Sequence, residues 1–129
     1  MQNIPVRTEI GKRIREIFIP GTGYDWLMSC DYSQVELRVL AHMAQDKLLL
    51  ESFLNGQDVH ARTAAEVFGV PLEQVDSMMR TRAKAVNFGI VYGISDFGLA
   101  KQLDISRGEA AEYIKNYFAR YTGVKKYMD

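Results

Sequence analysis

RTRAKAVNFGIVYG, Arg80 to Gly93, is the stretch that decides the reading. On an α-helix each residue turns by about 100°. Arg80, Lys84, Phe88 and Tyr92, four apart, then lie in one slowly drifting stripe, with Asn87 and Val91 at its edge. Met79, Val86 and Ile90 fall roughly opposite. One face is apolar and turns to a core. The other offers two cations and then two aromatic rings. Arginine grips phosphate with a planar fork and lysine with a compact charge. A ring further along meets a sugar or base by stacking. Gly89 and Gly93 each cost a helix about 1 kcal/mol against alanine, which points to a close approach or a bend. By pattern alone the segment also suits an amphipathic helix with a solvated basic face.

Upstream, Thr8 is placed to cap a basic helix over Glu9–Glu16. Phe18-Ile19-Pro20 reads as a short strand and Gly21-Thr22-Gly23 as a turn. Trp26 to Tyr32 alternates, with Trp26, Met28, Cys30 and Tyr32 on one side, so a second strand and a β-hairpin are predicted. Cys30 is expected to be a small buried residue on that strand. Everything afterwards reads as helix. Ser33 and Glu36 form a capping-box pattern opening a helix to about Gln45. Helices follow over 47–54 and 58–68, the latter closed by Gly69 and Pro71. The central helix runs from about Asp76 to Tyr92, and a short one covers 97–103. Ser106 and Glu109 form a second capping box, for a helix ending near Tyr121 with Gly123 behind it. The predicted class is α+β, mainly α, with a small antiparallel hairpin.

Sixteen basic residues balance sixteen acidic ones, so no overall basic charge advertises a nucleic-acid binder; only the local distribution can. A lone cysteine builds neither a disulfide framework nor a zinc site, which suits a reducing compartment. No apolar run approaches the ~20 residues that span a bilayer, and the first residues lack a signal-peptide core. No membrane association and a cytoplasmic location, in a bacterial cytosol or phage-infected cell, are expected.

Arg80-x-x-x-Lys84-x-x-Asn87-Phe88-Gly89-x-x-Tyr92-Gly93 resembles motif B of the family A DNA polymerases, carried in that family by the long helix of the fingers subdomain. The resemblance implies that Arg80 and Lys84 bind the phosphates of an incoming dNTP, that Phe88 packs on its sugar, and that Tyr92 sits near the templating base and DNA. Thr81 stands where many members carry a second arginine. Asp31, at the end of the predicted strand, is placed either to ligate Mg²⁺ or simply to flank a turn. Its context, Asp31-Tyr32-Ser33-Gln34-x-Glu36-Leu37-Arg38, resembles motif A of the same family. Asp31 would then be catalytic and bridge two Mg²⁺ ions, with the Tyr32 carbonyl as a further ligand. Glu36 would be the gate against a 2′-hydroxyl, and Gln34 would help to position it. His60 resembles a family histidine that reaches the dNTP phosphates, and Arg7 lies in a segment resembling one beside the primer–template duplex.

The implied organisation is a partial palm over 1–46 and fingers over 47–129. The implied activity is template-directed DNA synthesis, nucleotidyl transfer from a dNTP to a primer 3′-hydroxyl. The family's motif C, with its second metal-binding aspartate, and its thumb are not found in the sequence. The expectation is therefore that the remainder of the polymerase chain is needed for activity. Apolar surface left by missing palm strands is expected to favour oligomers or segment swapping. A competing reading takes residues 97–121 as a helix-turn-helix DNA-binding module, although Glu109 and Glu112 make the second helix acidic where phosphate would approach.

Overall fold

A computed structural model describes residues 8–129, which divide into two compact units, one ending at Ser33 and one running from Gln34 to Asp129. Arg7 lies outside the described residues. Among those residues there are eight α-helices, one 3₁₀ turn and no strand.

The first unit contains α1, Glu9–Glu16, capped as predicted by Thr8, whose hydroxyl accepts the Gly11 N–H at 3.1 Å. A tight turn follows, closed by the Tyr24 N–H on the Gly21 carbonyl at 3.1 Å, with Gly23 at φ +86°. The predicted β-hairpin does not form: neither 18–20 nor 26–32 is a strand. The α+β class is thereby corrected to an all-helical one. The physical reason is visible in the alternating side chains. Trp26 is 88% exposed, Met28 and Tyr32 83%, so the apolar face that would fix a register covers nothing within its unit. An isolated two-stranded hairpin is marginal in water. Cys30 is exposed, not buried, for the same reason.

The second unit is helical throughout: α2 Val35–Ala44, α3 Lys47–Leu54, α4 Val59–Phe68, a 3₁₀ turn Leu72–Gln74, α5 Ser77–Val91, α6 Asp96–Leu103, α7 Arg107–Arg120 and α8 Thr122–Met128. Side-chain caps set most of the starts. Asp46, Asp58, Asp76, Ser95 and Ser106 each accept backbone N–H groups of the helix they precede; such caps stabilise by about 1 kcal/mol apiece. The Ser106–Glu109 capping box is present in full. The Ser33–Glu36 box is not in the predicted register, because the N-cap of α2 is Gln34, at φ +55° and without a side-chain cap bond.

The central helix α5 packs on α4, α4 on α7, α6 on α7, and α2 on α3 and α8. Leu37, Leu49, Val59, Val86, Leu99, Tyr117, Tyr121 and Val124 are wholly buried between them. Tyr117 and Tyr121 stack at 4.5 Å. Helix α8 was not predicted, because Gly123 reads in sequence as the stop signal of α7. In the structure Gly123 lies in the first turn of α8, and a Cβ there would fall 2.7 Å from Asp46 Cα. This glycine serves close approach, not chain reversal. Asp46 exploits it. One carboxylate oxygen caps α3 at Leu48 and Leu49, and the other accepts the N–H groups of Gly123 and Val124 at 2.8 and 3.2 Å. The buried Asp46 thus caps two helices at once.

Candidate functional site

Helix α5 has the two faces its sequence predicts. Ala83, Val86 and Ile90 are buried and Met79 half-buried, whereas Arg80, Lys84 and Tyr92 are exposed and Phe88 is half-buried. The helix ends where glycine permits. Gly93 takes φ +67°, and Gly89 lets Ile94 fold back, since a Cβ on Gly89 would sit 2.5 Å from Ile94 Cγ2. The Ile94 N–H closes this turn on the Gly89 carbonyl at 2.8 Å. The close approach implied by Gly89 is therefore made by the chain itself.

The N-terminus of α4 lies alongside. Asp58 caps α4 through Oδ1, taking the His60 and Ala61 N–H groups at 3.0 and 3.1 Å. Its Oδ2 accepts from Arg80 Nε at 2.6 Å. Partial burial works to raise the Asp58 carboxyl. The Arg80 hydrogen bond and charge, with the two amides, outweigh it and hold the group below its ordinary value. The Arg80 guanidinium bonds to no other acceptor among the described residues, so its terminal fork remains for another anion. A cavity of about 210 Å³ opens beside this pair, bounded also by Leu72, Asp76 and Ser77. Lys84 has no carboxylate at ion-pair distance among the described residues. Thr81, where a second arginine is common in the family, donates to the Ser77 carbonyl at 2.8 Å.

His60 is only 3% exposed, and its ring lies 5.9 Å from that of Phe88. Burial lowers the imidazole below its ordinary 6.5; Arg80 and Lys84 push the same way, and Asp58 opposes them. Behind it stands a polar group to which the sequence analysis assigns no role. Asn87 is fully buried and bonds both His60 and Thr63, and Thr63 reaches the Tyr121 hydroxyl at 3.1 Å. Burial pushes that phenol up to about 12. A helical-wheel reading puts Asn87 at the edge of the stripe. The signal that could have found it is its polarity between Val86 and Ile90 on the buried side.

At the C-terminal end of α5, Tyr92 Oη donates to Glu36 Oε1 at 3.4 Å, tying the first turn of α2 to the end of the motif. Gln34 sits half-buried at the N-cap of α2. The second unit thus sets His60 of α4 beside the Arg80, Lys84 and Phe88 face of α5, with Tyr92 and Glu36 at the far end. Asp31 and Tyr32 belong to the first unit and are exposed. A larger open groove of about 770 Å³ runs between α4 and α7, past Glu66, Asn116 and Arg120. It holds none of these residues, and the Arg62–Glu66–Arg120 ion-pair chain occupies its rim.

The model of DNA polymerase family A matches residues 1–129, the whole chain. The chain belongs to the family A DNA polymerases. Within that family it is 58% identical over 130 residues to DNA polymerase I of Geobacillus stearothermophilus and 57% over 129 residues to that of Pseudomonas aeruginosa. The matches cover all of this chain but 15% and 14% of those two relatives. Among solved structures it resembles the POL domain of Pol1 from M. smegmatis in complex with DNA primer-template and dNTP. The TM-score is 0.89 at 47% identity, over 99% of this chain and 23% of that one. This polymerase chain has no described helix long and apolar enough to cross a membrane.

Proposed function

We propose that the exposed face of α5 receives the triphosphate and sugar of an incoming dNTP in template-directed DNA synthesis, the step that joins a nucleotide to a primer 3′-hydroxyl. The observation that carries this reading is the stripe itself. Two exposed cations precede a half-buried ring and an exposed tyrosine on a helix anchored by its opposite face. Support comes from the solved relative, the POL domain of Pol1 from M. smegmatis in complex with DNA primer-template and dNTP.

In this reading Arg80, held at Nε by Asp58, turns its terminal fork to phosphate. Lys84, unencumbered by a carboxylate, adds a point charge one turn on. Phe88, backed by His60, offers its ring to the sugar. Tyr92, bonded to Glu36, bounds the sugar and the templating base, so that Glu36 is aimed to exclude a 2′-hydroxyl; Gln34 sets the start of the helix that carries it. Residues 1–46 form the palm part and 47–129 the fingers part in this assignment, with Arg7 beside DNA.

Among the described residues no three acidic, histidine or cysteine side chains gather as a metal site. The residues present therefore do not fit a complete two-Mg²⁺ centre. Asp31 and the Tyr32 carbonyl are candidate ligands whose companions these residues do not supply. The chain by itself is accordingly proposed not to extend a primer.

The helix-turn-helix reading of 97–121 gains no support. Arg107, the first cation of its second helix, is bound to Asp96 at 2.7 Å, and Glu109 is spent in a capping box.

Titration calorimetry of the chain with dNTP and Mg²⁺ tests the assignment. Weak binding is expected, reduced about tenfold or more by Arg80→Ala and by Lys84→Ala, the worth of one charge-assisted hydrogen bond. Binding as tight in both variants as in the unaltered chain would overturn it.

A further inference from the structure

We propose that Asn87 is a positioning residue that locks His60 as the neutral Nε2–H tautomer, so that this buried histidine presents a hydrogen-bond donor, not a positive charge, to a phosphate oxygen. The inference deepens the dNTP reading and rests on it for the identity of the acceptor.

Thr63 carries one hydroxyl proton. Its shortest contact is the Val59 carbonyl, at 2.8 Å, within its own helix. With the proton committed there, Thr63 Oγ1 meets Asn87 as an acceptor, 3.0 Å from Nδ2; Asn87 Oδ1 is more distant, at 3.2 Å. The nitrogen end of the amide is therefore the end turned inward. The same Nδ2 lies 3.1 Å from His60 Nδ1. An amide nitrogen has only protons to offer, so Nδ1 must be the bare, accepting nitrogen of the ring. A proton on Nδ1, whether in the other tautomer or in an imidazolium, would set N–H against N–H in a buried site. The remaining ring proton is then on Nε2.

Nε2 has no partner among the described residues. The one buried side-chain polar atom without a partner among the described residues is Tyr117 Oη. The sliver of surface His60 keeps therefore includes Nε2. A buried histidine whose one open ring nitrogen is a fixed donor is built to reach outward. The charged groups facing it are Asp58, Arg80 and Lys84, and the two cations beside it favour the neutral form. His60 would thus add a directional bond to an anion whose charge Arg80 and Lys84 neutralise.

Nitrogen-15 spectra of the histidine rings of the chain, with His42→Gln to remove the other signal, read this directly. At pH 7, Nε2 protonated and Nδ1 bare is the expected result; an Nδ1–H ring or an imidazolium would overturn the proposal. Asn87→Asp replaces the amide donor with an acceptor and should switch the proton to Nδ1 or charge the ring. An unaltered Nε2–H tautomer there would show that Asn87 does not set it, and would likewise overturn the proposal. Adding dNTP and Mg²⁺ to the unaltered chain separates the two readings. A shift of the His60 Nε2 signal supports phosphate as the acceptor, whereas an Nε2–H ring that ignores nucleotide leaves the tautomer standing and sinks its nucleotide role.

Discussion

Residues 18–32 hold eight apolar side chains and residues 46–63 seven, yet the first segment has no buried residue and the second has six, Asp46, Leu49, Ser52, Val59, His60 and Thr63. The difference lies in what each backbone demands. A helix satisfies its amides along its own length and needs a partner only for one stripe. A strand needs a partner for its hydrogen bonds before its side chains can be aligned. Asp46 and Asp58 start helices in the second segment with bonds to neighbouring amides, whereas Trp26 to Tyr32 has no comparable local anchor.

The comparison can be broken most forcefully at Asp46. Asp46→Ala removes both helix caps and strands amides of α3 and α8, so a loss of about 3 kcal/mol is expected from urea unfolding. A loss below 1 kcal/mol would show that the two helices do not depend on their shared cap. Tyr121→Phe deletes one buried hydroxyl bonded to Thr63 and should cost about 1 kcal/mol in the same assay. The pH dependence is smaller and has a definite sign. The folded His60 ring takes up a proton less readily than an unfolded one. Its contribution to stability is therefore full above about 6.5, the ordinary imidazole value, and is lost as pH falls from there through the lower folded value. Denaturation midpoints should decline over that window in the native chain and flatten in His60→Gln. Asp58, also depressed, contributes in full above the ordinary carboxylate value, and that contribution is lost only as pH falls below it. At the bottom of the scale, Trp26→Ser should alter the unfolding free energy by no more than about 0.5 kcal/mol. A larger loss would mean that the exposed face of the first unit is already engaged in solution, as in an oligomer or segment swap.

Most of the second unit was legible because its signals are local. Caps at Asp46, Asp58, Asp76 and Ser106, the closing Gly69, and the split faces of α5 all act within a few residues. Gly123 and Asn87 were not legible for the opposite reason. Gly123 earns its place against Asp46, 77 residues away, and Asn87 against His60 and Thr63 on another helix. The hairpin failed as a prediction because alternation records a tendency to be a strand without naming its neighbour. At the site, the cations and rings were visible as a stripe, but the polar support beneath them appears only once α4 lies against α5.

The Asp46 clamp also bears on how the chain reaches its native state. Its two longest-range bonds join residues 77 and 78 apart in sequence, while the α4–α5 pair that carries the proposed nucleotide face lies wholly inside the loop they close. During synthesis, that inner pair is complete before the residues that seal the loop leave the ribosome. The α4–α5 pair can therefore meet first, and the last helix of the chain then closes the loop around it as a latch, held at Asp46.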